Sequence, residues 1–194
     1  NIKKYKKNND QINIFWGGLH IPRKSLNIGL EALSKLPKSI NWKLHITGKG
    51  KLSNKWKKLS VQKKIEKKCI FYGYLKDKHD LPKIMKRCDI HLFTSIKEDT
   101  PAIIMETMTL GLPTICFDLY GAKDLVNKKR GIKIIPNSDH EKNILNFKNA
   151  ILKLIKSKKK RNELIKNCKS FSIKNTWDNR ISMHNYFYQK IKLN

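Results

Sequence analysis

Arginine is scarce in this chain: of 43 basic residues only those at 23, 87, 130, 161 and 180 are arginine, leaving 38 lysines. Bidentate reading of bases and clamping of phosphates favour the planar guanidinium, so the scarcity argues against a nucleic-acid-binding module despite a net charge of +28. Lysine, asparagine and isoleucine, the residues that A/T-rich codons supply, are all abundant, and the lysines are spread along the chain. The densest run is Lys156-Ser-Lys-Lys-Lys-Arg161. A solvated basic surface is the simpler reading, and such a surface also suits anionic lipid head groups. Carboxylates are few, 15 in all, so any that fall in an apolar setting stand out. The four cysteines, at 69, 88, 116 and 168, form no CxxC and have no histidine at metal-ligand spacing. Reduced, buried thiols of a cytoplasmic protein are the expectation. No Asp-x-Asp is present, and neither a metal nor a cofactor is expected. No run of 18 or more apolar residues occurs, so no spanning helix is expected. No signal-peptide pattern is visible, and the start at Asn1 suggests a piece of something longer.

What is present is enough for one compact domain: 194 residues, 39% of them hydrophobic. Residues 1–11 are polar and read as a linker. Thereafter strands and helices alternate. Ile12–Trp16, Trp42–Ile46, Cys69–Tyr72, Ile90–Thr94, Thr114–Phe117 and Gly131–Ile135 read as strands. Ser25 is the expected cap of a helix striped by Leu26, Leu30 and Leu33, and a lysine-rich helix is expected over about 54–67. Thr100 is the expected cap of a helix that opens at Pro101, ends at Leu110 and stops at Gly111. Ile144, Phe147, Ile151 and Leu154 stripe another helix, and Trp177, Ile181, His184, Tyr188 and Ile191 a last one. Strands separated by helices predict a doubly wound, Rossmann-like α/β domain with a parallel sheet of six strands. The domain is expected to span 12–170, with 171–194 forming a C-terminal helix that crosses back.

In that architecture ligands bind at the carboxyl ends of the strands. Five loops lie there: 17–24, 47–50, 73–77, 95–106 and 118–122. Gly17 and Gly18 followed by Arg23 and Lys24, and Gly48 followed by Lys49, offer flexible backbone and positive charge. A helix start at Pro101 offers amides to an anion such as a diphosphate. Glu98 lies just before that helix and Glu106 inside it. Each glycine or lysine alone signals only a turn or a surface. The glutamate pair is the stronger signal, because a carboxylate buried in an apolar helix requires a partner, and ribose or sugar hydroxyls suit it.

The segment Glu98-Asp-Thr-Pro-Ala-Ile-Ile-Met-Glu106-Thr-Met-Thr-Leu-Gly-Leu-Pro-Thr-Ile resembles the signature of family 4 retaining glycosyltransferases, which have the two-domain GT-B fold. Matches run in order along nearly the whole chain: Gly17 to Lys24, Leu44–Gly50, Ile70-Phe-Tyr-Gly-Tyr74, Cys88-Asp-Ile90, and Gly121 with Leu125. The resemblance implies that Glu98 contacts the donor sugar near its reacting carbon, and that Lys24 neutralises charge on the leaving diphosphate. The backbone of Asp99, Thr100, Pro101, Ala102 and Ile103 would hold sugar and diphosphate. Glu106 would bind the ribose, and Tyr74 and Leu75 would pack on the base. Two positions depart from the family pattern. Its arginine five residues before the lysine falls here at Leu19, with Arg23 as the candidate substitute, and Thr107 replaces a common alanine. The implied protein transfers a hexose, with retention, from a nucleoside-diphosphate sugar to a glycan or lipid-linked acceptor in polysaccharide biosynthesis. It would be cytoplasmic, peripheral at the inner membrane face. This chain would carry the donor-binding half, with the N-terminal GT-B domain missing. A non-catalytic nucleotide-sugar-binding relic, a nucleotide-sugar epimerase and a basic nucleic-acid-binding domain are the alternatives.

Overall fold

A computed structural model describes residues 10–77, 79–176, 178–179 and 181–182. The core is a six-stranded, wholly parallel sheet in the order β3-β2-β1-β4-β5-β6. Its strands are β1 (Ile12–Gly17), β2 (Trp42–Thr47), β3 (Cys69–Gly73), β4 (Ile90–Phe93), β5 (Thr114–Phe117) and β6 (Gly131–Ile134). Seven α-helices are described: α1 (Leu26–Ser34), α2 (Ser53–Gln62), α3 (Asp80–Met85), α4 (Ala102–Thr109), α5 (Tyr120–Leu125), α6 (His140–Lys156) and α7 (Lys158–Lys174). This is the doubly wound architecture that the alternation predicts.

Helices cover both faces of the sheet, so most strand residues are apolar on either face, with Asn13, His45 and His91 as buried polar exceptions. Successive residues therefore feed different cores. Ile14 and Trp16 of β1 join Leu44, Ile46, Ile90, Leu92, Ile115 and Phe117 in a large cluster with α1, α2 and α6. Phe15 faces the other way, with Ile84, Met85, Cys88 and Leu112. On that second face Phe93 and Cys116 meet Ile104 and Met108 of α4 and Cys168 of α7. All four cysteines are free thiols, three of them buried and Cys69 half-buried. Burial pushes the thiols of Cys69, Cys116 and Cys168 up to about 12. No helix among the described residues is long and apolar enough to cross a membrane.

Several local expectations need correction. Ser25 does stand before α1, but in the left-handed region (φ 47°), and its hydroxyl donates to Pro22 O (3.0 Å) instead of capping the helix. The lysine-rich helix stops at Gln62, where Lys64 turns left-handed (φ 56°), and a 3-10 turn at Glu66–Lys68 follows. Pro101 (φ −77°, ψ 76°) takes the cap position of α4, so the helix opens at Ala102 and the Thr100 side chain caps nothing. Helix α7, capped by Ser157 through Lys160 N–H (3.2 Å), occupies a stretch read only as a lysine run. It runs unbroken past residue 170. Trp177, His184, Tyr188 and Ile191, and most of the expected linker, lie outside the described residues.

Candidate functional site

Strand order places β1 between β2 and β4, so Ile14 pairs with Leu44 on one side and Ile90 on the other. The chain leaves the two flanking halves in opposite directions there, which opens a crevice at the carboxyl edge. A cavity of about 700 Å³ fills that crevice. Of the residues singled out from sequence, Gly18, Gly48, Tyr74, Leu75, Ile103 and Glu106 line it. Thr47, Asp77 and Leu110, which fall within the loops or the signature segment, line it too, as do Leu81 and Met85, to which no motif pointed.

The floor of the crevice is laced by backbone hydrogen bonds between the loops after β1, β2 and β3. Gly18 N–H donates to Thr47 O (3.2 Å) and Gly48 N–H to Gly73 O (2.8 Å). His20 N–H donates to Lys49 O (3.2 Å), and Leu52 N–H returns to His20 O (2.9 Å). Glycine is required at Gly48: φ is +105°, and a Cβ there would stand 1.9 Å from Gly18 O. Gly121 has a comparable role in the neighbouring loop, where a Cβ would meet Asp99 O at 2.0 Å. Its N–H donates to Glu98 O (3.2 Å), fixing the segment that carries the first glutamate.

Glu98 itself is held by two cations. Arg23 Nη1 donates to its Oε2 at 2.5 Å, and Lys24 Nζ donates to the same oxygen. Arg23 Nη1 also donates to Lys97 O (2.9 Å). Burial acts to raise the Glu98 carboxyl, but the hydrogen bonds and charges of Lys24 and Arg23 outweigh it and hold it below the usual carboxylate range. The backbone of the two cations is pinned to the end of β4: Thr94 Oγ1 donates to Lys24 O (2.7 Å), and Ile96 N–H to Arg23 O (2.9 Å). A second cavity, about 340 Å³, is lined by Arg23, Lys97, Glu98, Asp99 and Thr100.

Other sequence-derived candidates fall elsewhere. Pro101 and Ala102 line a third cavity of about 570 Å³ on the far side of α4, which shares Glu106 and Thr109 with the first. Gly17 is buried behind the crevice, where a Cβ would press on Phe15, Thr47 and Ile103. Lys49 contributes its carbonyl to the lacing while its side chain is exposed. The first amide of α4 is already used, since Ala102 N–H donates to Thr100 O (2.9 Å). Leu19, where the arginine was expected, is 58% exposed and lines the main cavity.

Glu106 is the main correction. It is exposed at the rim shared by two cavities, not buried, and its carboxylate has no hydrogen bond or ion pair among the described residues. The helix underneath explains this: Ile104 and Met108, four residues apart, face the core, and Glu106 lies half-way between them on the opposite side. What anchors α4 is Thr107. Its Oγ1 lies 2.9 Å from Nδ1 of His91 on β4, and Thr114 Oγ1 of β5 lies 3.2 Å from the same nitrogen. Burial, then the charge of Lys24, push His91 down to about 3, so the ring is neutral. No group of three or more His, Cys, Asp or Glu able to hold a metal ion occurs among the described residues.

The arrangement offers an apolar slot floored by glycine loops, an exposed carboxylate at its rim, and a cation pair beside it. The chain is similar to several known proteins. Protein CapJ of Staphylococcus aureus is 26% identical over 183 residues, which is 90% of this chain and 45% of that protein. An Escherichia coli UDP-Gal:alpha-D-GlcNAc-diphosphoundecaprenol alpha-1,3-galactosyltransferase is 29% identical over 126 residues, 64% of this chain and 30% of that one. This chain therefore spans less than half the length of these curated relatives. Among solved structures, the pneumococcal O-GlcNAc transferase GtfA in complex with UDP and GlcNAc superposes with a TM-score of 0.81 at 15% identity, covering 94% of this chain and 36% of that one. Residues 1–171 match the family of glycosyl transferases group 1, and the chain belongs to that family.

Proposed function

We propose that this chain is the donor-binding half of a glycosyltransferase that moves a hexose, with retention, from a nucleoside-diphosphate sugar to a glycan or lipid-linked acceptor. The observation that carries the reading is the cavity at the β1/β4 switch point, with Glu106 on its rim and the Arg23–Lys24–Glu98 cluster close by. The base packs in the slot bounded by Tyr74, Leu75, Leu81 and Met85, and the ribose hydroxyls donate to the exposed Glu106 carboxylate. The free carboxylate suits this role, because no protein donor has to be displaced. The diphosphate lies over the glycine loops Gly18 and Gly48, whose lack of side chains lets it approach the backbone. Lys24 and Arg23 supply positive charge as negative charge grows on the leaving phosphate, a stabilisation that is larger in a partly desolvated site. Glu98 meets the sugar, and the reading assigns no metal to the reaction.

The acceptor and the groups that bind it belong, in this proposal, to a further domain, in keeping with a chain that spans less than half the length of its curated relatives. The Escherichia coli relative is named for a diphosphoundecaprenol-linked sugar, which supports an acceptor of that class. The surplus of lysine would favour an anionic leaflet. The experiment is Glu106→Ala. It should weaken nucleoside-diphosphate-sugar binding by about tenfold, the scale of one charge-assisted hydrogen bond, with the thermal midpoint unchanged. A fall in the midpoint with unaltered affinity would make Glu106 a structural residue.

A further inference from the structure

We propose that Glu98 is the resident counter-ion of an anion site formed by Arg23 and Lys24, and that an incoming diphosphate displaces it and frees its carboxylate for the sugar. The inference rests on the donor-site reading above and adds a coupling between the two ends of the donor.

Both cations converge on one oxygen. Arg23 Nη1 and Lys24 Nζ donate to Glu98 Oε2, while Oε1 accepts no hydrogen bond from the described residues. Two cations on one singly charged oxygen leave positive charge to spare, and Lys97 lines the same small cavity. Asp99 lines it too, so the local balance is three cations against two carboxylates. A diphosphate carries more charge than a carboxylate and several acceptor oxygens, enough for the fork of an arginine and the point charge of a lysine together.

The parts that would move are separable from those that would stay. The Arg23 and Lys24 carbonyls are fixed to Ile96, Ser95 and Thr94, so the side chains can swing on a rigid base. The Arg23 side chain is 42% exposed and reachable from solvent, whereas that of Lys24 is 11% exposed and lies behind it. Lys97 O stays in reach of Arg23 Nη1 when the carboxylate leaves. The Arg23–Glu98 pair is partly exposed and contributes little to stability, and the more buried Lys24 stays paired because the diphosphate takes the place of the carboxylate. The consequence is an order of events. Without the diphosphate, both cations hold Glu98 Oε2 and only Oε1 is open to sugar hydroxyls; with it, both carboxylate oxygens are free to accept.

Calorimetric titration with inorganic pyrophosphate tests this, using wild type, Glu98→Gln, Glu98→Ala, Arg23→Gln and the Arg23→Gln/Glu98→Gln double variant, each checked by circular dichroism. Removing the counter-ion should tighten pyrophosphate by about tenfold in either Glu98 variant, and the double variant should lose that gain. No gain in either Glu98 variant, or a gain that persists without Arg23, overturns the proposal. UDP titrated in parallel separates the two readings. UDP binding without the pyrophosphate gain overturns the counter-ion role alone. Failure of wild type and variants to bind either ligand overturns the donor-site reading and this one with it.

Discussion

Thr107 Oγ1 on α4 lies 2.9 Å from Nδ1 of the fully buried His91 on β4, and the same hydroxyl reaches Ile104 O at 3.0 Å. One tautomer satisfies the group: Nδ1–H donates to Thr107, whose hydroxyl donates onward to the Ile104 carbonyl. Nε2, which has no partner, is then a bare lone pair instead of an orphaned donor. An alanine at 107 would strip the ring of this acceptor in an apolar interior. Thr107→Ala should therefore lower stability by about 1–3 kcal/mol in urea unfolding. An unchanged midpoint would mean that Thr114 alone satisfies the ring.

Acid should unfold the protein through its buried histidines. Burial and the charges of Lys43 and Arg87 hold His45 down to about 4, while burial and Lys24 hold His91 at about 3. Both folded values lie below the ordinary value near 6.5, so the unfolded chain binds more protons between them. Their contribution is whole above pH ~6.5 and is lost as pH falls toward 4 and 3, at about 1.4 kcal/mol per pH unit for each ring at most. Glu98, also lowered, adds a loss in the same direction at lower pH. A thermal midpoint that stays level from pH 7 to pH 4 would contradict this account.

Gly48→Ala should be costly for two reasons at once. Its backbone is left-handed (φ +105°), and the new methyl would stand 1.9 Å from Gly18 O, which is backbone and cannot rotate away. A loss of about 1–3 kcal/mol is expected, together with weaker nucleotide binding, because the loops after β1 and β2 would part. Equal stability and equal affinity in the variant would show that the loops are not coupled.

Leu19→Arg provides a test in the opposite direction. The side chain is exposed and lines the main cavity, so an arginine there would add a cation without disturbing the core. Nucleoside-diphosphate binding should tighten by roughly three- to tenfold at low salt, and the gain should shrink as salt rises. A gain of the same size at high salt would point to packing in place of charge.

The sheet was legible because its strands are short segments of four to six residues, either largely apolar, as in Thr114–Phe117, or alternating, as in Trp42–Thr47, bounded by glycine or polar turns. The crevice followed from topology, since loops after parallel strands share one edge. Helix α7 was missed because it buries little beyond Leu164, Cys168 and Ser172, so its lysines hide a thin stripe. The exposure of Glu106 was readable from the four-residue spacing of Ile104 and Met108, yet the apolar composition of the segment suggested burial. The bond between Thr107 and His91 was not readable, because nothing local tells which strand residue a helix residue will meet. Arg23 on Glu98 depended likewise on two loops more than seventy residues apart (|i−j| 75) being stitched together.

The most direct test of the central claim is calorimetric titration of the chain with UDP-, GDP- and ADP-sugars, beside an oligonucleotide at moderate salt. The account predicts saturable binding of at least one nucleotide sugar, weakened by Glu106→Ala, and no tight binding of the oligonucleotide. Tight oligonucleotide binding with no response to any nucleotide sugar would contradict it.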